Sequence, residues 1–282
     1  MALTGLLEEI DKAMSSPGMG REKAESLIAR LNRVLEKMPY DVDVLHRRAI
    51  LYPLCDKWGA SALDLEQILA LAPERLYLLP DLQAANEKIG KPYEVMDRLW
   101  NLMSTHGENP RYWEAKGDVQ FRMGMYTAAA ESYRRLVSFD PESINAFFQY
   151  SAAVVYDPLA NKEELAMAYD RLSEIEVEGD SNLVEELIGL AAARLGRWMD
   201  AEDIFEALVF GGDENPGVLN NLAVVKQSLG KMGEARGLLE RGLANGEYDY
   251  LAINLGILSV CSEGIKADGK LELVYPLIPQ PL

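Results

Sequence analysis

Two histidines, His46 and His106, and two cysteines, Cys55 and Cys261, are the residues of this sequence best suited to metal binding or nucleophilic chemistry. Neither histidine belongs to a His-Glu-x-x-His or His-x-His pattern, and neither stands near a cysteine at the spacing of a metal site. Gly18-Met19-Gly20 looks like a fragment of a phosphate loop, but it follows no strand, lacks a third glycine at the needed spacing and reads as a turn. No Gly-x-Ser-x-Gly or Walker sequence is present. With 45 Asp and Glu residues, close carboxylate pairs arise by chance, and solvated helix faces account for them. The sequence therefore predicts no catalytic residue, no metal site and no cofactor.

The elements that would position any other kind of site are written in a repeat. In Pro110 to Ser143, Trp113 and Gly117 share one helix face, Gly124 and Tyr126 fall where a turn belongs, and Ala129, Tyr133 and Leu136 form the stripe of a second amphipathic helix. Pro141 ends it, since proline cannot continue a helix. Gly117 and Ala129 are small because two helices joined by a short turn approach closely only where a side chain is nearly absent. The same landmarks recur in windows starting near 42, 76, 144, 182, 216 and 250. Ala49, Trp58, Leu65 and Pro73 mark one copy, Gly189, Gly196, Trp198, Ala201 and Phe205 another, and Ala223, Gly230, Met232, Ala235 and Leu239 a third. Leu31 and Pro39 mark an incomplete first copy. The period is thirty-four residues, with four extra between Ile144 and Asn182; the Asp157 to Lys162 turn and the acidic run Glu174 to Asp180 are the candidate insertion sites.

This pattern resembles the tetratricopeptide repeat, whose signature is Trp, Leu-Gly, Tyr, Ala, Phe and Pro at this period. Lys116 and Gln120 depart from its apolar consensus, and Gly107, Asp213 and Glu247 stand where proline is usual. The resemblance implies an all-α fold, a right-handed α-solenoid of stacked helix-turn-helix repeats, and a non-enzymatic scaffold that holds a peptide or helix of a partner protein. In that family the first helix of each repeat lines a concave groove. Helical spacing then puts the second, fifth, ninth and twelfth residues of each window on the groove. The predicted lining includes Tyr77, Arg111, Glu114, Phe121, Asn145, Phe148, Asn220 and Gln227, with Lys88, Arg122, Tyr156 and Arg194 at adjoining positions. Aromatic and guanidinium groups carry binding energy where they are desolvated, and amides satisfy a peptide backbone. The family's chaperone-tail clamp is not matched: of His46, Ile50, Asp81, Arg111 and Ala115 at its positions, only Arg111 fits.

Composition agrees with such a scaffold. Stacked repeats share one continuous core, so residues 21–262 are predicted as one solenoid, preceded by a capping helix and turn over residues 1–20 and followed by a tail over residues 263–282. In the cap, Leu6, Leu7, Ile10 and Ala13 lie on one side of a helix from Leu3 to Met14. The net charge of −17 opposes binding to phosphate backbones, so nucleic acid is not expected. No stretch is long and apolar enough to insert in a membrane, no signal peptide is visible, and two unpaired cysteines suit a reducing compartment, so the expected location is cytoplasmic. The tail from Leu271 to Leu282 is apolar and punctuated by Pro276, Pro279 and Pro281. It resembles a groove ligand, and it is expected to pack on the solenoid of its own or a neighbouring chain. The rival reading is a self-assembling structural protein joined through its terminal repeats, convex faces or tail.

Overall fold

Several helices begin at a side-chain cap. Asp41 accepts hydrogen bonds from the amides of Asp43 and Val44, Asn109 from Arg111, Ser143 from Ala146 and Asn215 from Gly217. Each satisfies an amide that a helix leaves without an internal acceptor. Pro110 and Pro216 follow their caps in the first turn, where the missing N–H costs nothing. Asn161 and Glu164 form a reciprocal capping box.

The computed structural model describes residues 3–14, 19–175, 182–262 and Leu273, and the described residues form an all-α solenoid fold with no strand. By its internal contacts the chain divides into two compact units, residues 1–125 and 126–282. The first holds α1 (Leu3–Met14), α2 (Arg21–Leu35), α3 (Val42–Leu51), α4 (Trp58–Leu71), α5 (Leu79–Lys88), α6 (Glu94–His106) and α7 (Pro110–Arg122). The second holds α8 (Tyr126–Phe139), α9 (Ile144–Tyr156), α10 (Lys162–Ser173), α11 (Asn182–Leu195), α12 (Trp198–Phe210), α13 (Pro216–Ser228), α14 (Met232–Ala244) and α15 (Asp249–Ser262). Within each unit, helices pack chiefly on their neighbours in sequence.

The fifteenth residue of the window sets the turn between paired helices. Asp56, Gly90, Gly124, Gly196 and Gly230 occupy it, and all have positive φ, between 59° and 78°. Glycine takes this left-handed conformation freely, and Asp is among the few other residues that tolerate it. In the Ile144 window the residue is Pro158, whose ring holds φ negative. That turn runs instead over residues 157–161, with Asp157 accepting from the Leu159 amide. As a result α10 begins 18 residues after α9, against 16 for the pairs α7 and α8, α11 and α12, and α13 and α14. Half of the four-residue insertion lies here. The other half falls between Ser173 and Asn182, and residues 176–181 are outside the described set.

In the first unit α1 buries Leu6, Ile10 and Ala13, while its polar side is tied down by Glu9 to Arg30 at 2.6 and 2.8 Å and by Asp11 to Arg47 at 2.8 and 2.7 Å. Ile10, Leu31, Leu45, Ile68, Leu79, Leu99 and Tyr112 belong to one continuous core. Prolines shape two of its helices: Pro53 lies in a 3₁₀ turn that stops α3 at Leu51, and Pro80 opens α5 after a 3₁₀ turn over Leu76–Leu78. In the second unit the reason for a small residue on the first helix is visible at Gly189. A Cβ there would lie 2.8 Å from Cζ of Phe205, the buried aromatic of α12. The tail lies outside the described residues except for Leu273, which packs against a cluster of Ala223, Val224, Ala235, Leu239, Leu251 and Leu258.

Candidate functional site

In the first unit the predicted lining comes from the 3₁₀ turn before α5, from α5 and from α7. Tyr77 is 52% exposed and meets the His46 ring edge-on at 6.2 Å. Burial, then the nearby Arg75 and Arg47, hold the His46 imidazole below its ordinary pKa, which favours the neutral ring. The Lys88 ammonium lies 5.8 Å from the Trp58 ring centre. Arg111 is exposed, and Glu114, Phe121 and Arg122 are half-buried. Arg122 carries a buried Nε with no hydrogen-bond partner, and it lies within electrostatic reach of the Asp81 carboxylate. Two bonds fix α7, which presents Arg111, Glu114, Phe121 and Arg122: Tyr112 donates to the Leu99 carbonyl at 3.1 Å, and Trp113 donates to the Gly107 carbonyl at 2.7 Å.

In the second unit the predicted residues separate into two groups. Asn145 is exposed, and Phe148 and Gln227 are half-buried, so they offer surface. Tyr156, Arg194 and Asn220 are tied into the frame. The Tyr156 ring is buried 5.3 Å from that of Tyr126. Arg194 donates to the carbonyls of Val154, Val155 and Asp157 at 3.1, 2.6 and 2.7 Å. Those are carbonyls at the C-terminus of α9, where a helix runs out of following amides; of the three, Val154 also accepts from the Asp157 amide at 3.2 Å. Asn220 is fully buried and accepts from the Asn254 side chain at 2.7 Å, across an interval of 34 residues. One repeat earlier the same position is Glu186, also buried.

Sequence spacing did not single out a further polar group, centred on Lys226. Its side chain is 5% exposed, and its ammonium contacts Glu202 at 2.7 Å, Glu234 at 2.8 Å and also Glu206. Lys231 joins Glu202 at 2.6 and 2.8 Å. Carboxylate oxygens of Glu202, Glu206 and Glu234 all lie within 4.8 Å of one another, a grouping that could hold a hard cation. The Lys226 ammonium already occupies that role. The only sequence signal is a lysine after the apolar run Leu222-Ala223-Val224-Val225.

Residues 187–250 match the family described as tetratricopeptide repeat. Over that stretch the chain carries the tetratricopeptide repeat. Its fold is similar to that of a tetratricopeptide repeat protein from Parabacteroides merdae ATCC 43184, with a TM-score of 0.61 at 16% identity, over 80% of this chain and 88% of that one. It is also similar to the C-terminal part of a TPR repeat-containing protein from Cytophaga hutchinsonii, with a TM-score of 0.52 at 13% identity, over 86% and 93%. PilF of Pseudomonas aeruginosa shares the fold with a TM-score of 0.50 at 14% identity, over 74% and 92%. No curated protein sequence matches the chain.

What this repeat protein can do with such faces is bind, through aromatic and cationic side chains held on rigid helices. Glu186 is the one inner-face carboxyl whose protonation is strongly biased: burial, then the Asp213 charge, push its pKa from 4.5 up to about 7. Between those two values the folded protein keeps a proton that the unfolded chain has lost, so stability falls as pH rises through that window and is flat above it. Glu186→Gln should therefore stabilise the protein at pH 8 by about 2–3 kcal/mol and change little at pH 4. Thermal unfolding of both proteins from pH 4 to 8 checks this, and a pH-independent difference would contradict it. Among the described residues, no helix is long and apolar enough to cross a membrane.

Proposed function

We propose that this repeat protein is a non-enzymatic scaffold that holds a peptide or helix of a partner protein on its first-helix faces. The observation that carries the reading is the surface of the first unit, where Tyr77 stands exposed on the turn before α5, and Arg111, Phe121 and Arg122 stand exposed or half-buried on α7, which the Tyr112 and Trp113 bonds anchor. Arg122 adds a buried guanidinium nitrogen that lacks an acceptor. A peptide carbonyl or carboxylate meeting the accessible part of this half-buried side chain would make a charge-assisted bond, which is among the stronger kinds. In the second unit Asn145, Phe148 and Gln227 extend the same chemistry. Arg194, Tyr156 and Asn220 position backbone and neighbours and are assigned no ligand contact. The cytoplasmic address belongs to this proposal too, on the buried free thiol of Cys55.

The test is capture of partners from the native host's lysate by wild type and by a Phe121→Ala, Arg122→Glu variant of equal helicity. A true anchor pair should cost about 1–3 kcal/mol per residue in binding, enough to lose the partner. A partner retained equally by both proteins would remove this surface from the binding site. The second reading, self-assembly through the terminal repeats, is favoured by one observation: Ile253 on the last helix is 60% exposed. Light scattering over a range of concentrations separates the two readings.

A further inference from the structure

Helix α13 is buried around its whole circumference. All ten residues from Gly217 to Lys226 are buried, nearly three turns. Neighbours explain most of this, since α12 and α14 pack against it, α11 touches it, and Asn254 of α15 bonds to Asn220. Those four leave one side, the inner face, which carries Gly217, Asn220 and Val224 at the second, fifth and ninth positions of the window. These are 5% exposed or less where values decide the point: Asn220 0% and Val224 5%. On α15 the matching residues Leu251, Asn254 and Leu258 are 0%, 1% and 1% exposed. On α7 of the first unit the second and fifth positions are more open, with Arg111 exposed and Glu114 half-buried, while the ninth, Asp118, is 5% exposed like Val224.

One described residue supplies cover from outside the helices. Leu273 packs against the cluster of α13, α14 and α15 residues to which the inner-face residues Val224, Leu251 and Leu258 belong. The reach is sufficient. Eleven residues lead from Ser262 to Leu273, which in extended form span roughly 36 Å, against about 10 Å between packed helices. The composition also fits. Residues 271–282 read LELVYPLIPQPL, with Glu272 their only charged side chain. Pro276, Pro279 and Pro281 favour an extended chain and remove amide donors that an apolar face could not satisfy.

We propose that residues 271–282 occupy the inner face of α13 and α15 of their own chain, as a built-in ligand that any partner of this face must displace. The inference rests on the peptide-binding reading above and specifies it: the C-terminal repeats take an extended, apolar, proline-containing segment, and the protein controls access to them with its own. The first unit is left open.

The experiment uses the full chain and a fluorescent synthetic peptide of residues 271–282, followed by anisotropy. Wild type should bind the peptide at least roughly tenfold more weakly than the Leu273→Asp variant, the factor expected when the face is open in only about a tenth of molecules. Leu273→Ala, a milder change far from any helix interior, should fall between them, and circular dichroism should show equal helicity for all three. Equal binding by wild type and both variants would mean the face is not occupied, and absence of binding by all would mean the segment is not its ligand; either overturns the proposal. A wild-type mass twice the chain mass that halves in Leu273→Asp would place the segment on a second copy and overturn the same-chain assignment. The Phe121→Ala, Arg122→Glu variant is read separately. Lost peptide occupancy with partner capture intact refutes only this inference, and the converse refutes only the earlier one.

Discussion

Phe205→Ala is expected to destabilise the second unit by about 3–5 kcal/mol, as removal of a fully buried aromatic side chain does when its surroundings cannot collapse. Collapse is restricted here for a geometric reason. Phe205 is 0% exposed, and its ring fills the space that Gly189 leaves on the facing helix, so close that a Cβ on Gly189 would sit 2.8 and 2.9 Å from two ring carbons. The reciprocal change, Gly189→Ala, adds a methyl group where there is no room and should cost about 1–3 kcal/mol. The two sites share one contact, so their effects should not add: Gly189→Ala combined with Phe205→Leu should be more stable than the sum of the single losses. Urea unfolding of the four proteins measures the coupling. Strict additivity would show that the ring and the glycine do not constrain each other.

That contact also shows why so much of the fold was legible from the sequence. In a stack where each helix touches chiefly its neighbours, every repeat must solve the same packing problem with residues at the same spacing. The small residue at Gly189, the turn residue at Gly196 and the start of α12 at Trp198 could therefore be read directly, while the ring that fills the space beside Gly189 came only with the structure. Position fifteen carries the same lesson with its exception, because Pro158 cannot adopt the left-handed turn and the insertion begins there. Side-chain fate was less legible. Spacing says which way a Cβ points, and it assigned Arg194 to the groove; it could not show that the rerouted turn at residues 157–161 leaves α9 carbonyls within reach of that guanidinium. Asn220 was placed on the inner face, but its burial depends on Asn254 one repeat later and on what covers α13. Lys226 was invisible because its partners come from two other helices, Glu202 and Glu206 from α12 and Glu234 from α14.

Lys226→Met should cost about 1.5–3 kcal/mol at pH 7, the scale of a lost hydrogen bond to a charged group, because Lys231 still pairs with the buried Glu202 carboxylate when Lys226 is gone. Glu202 is the group left behind. Its side chain is 5% exposed, and its pKa is held below the ordinary value by hydrogen bonds from Lys226 first and Lys231 second. A carboxyl with a lowered folded pKa contributes stability above its unfolded value, about 4.3, and loses it as pH falls through the folded value. The Lys226 pKa is raised by its three carboxylates, against the opposing effect of burial. Its contribution is complete below the unfolded lysine value of about 10.4 and is lost only as pH rises through the folded one. Between pH 5 and 9 both contributions are therefore present, and the deficit of the variant should be constant. Below about pH 4 it should shrink, because protonation of Glu202 weakens the charge in the variant that only Lys231 still offsets and removes the favourable pairing with Lys226 in the wild type. Two controls separate this from a packing effect. Glu206→Gln, at a partner whose side chain is 51% exposed, should cost less than about 1 kcal/mol. Adding Glu202→Leu to Lys226→Met should restore much of the loss, because an apolar pair does not carry the desolvation cost of the charges. If the double variant is no better than Lys226→Met, the loss comes from the lysine's packing and not from the charge it neutralises.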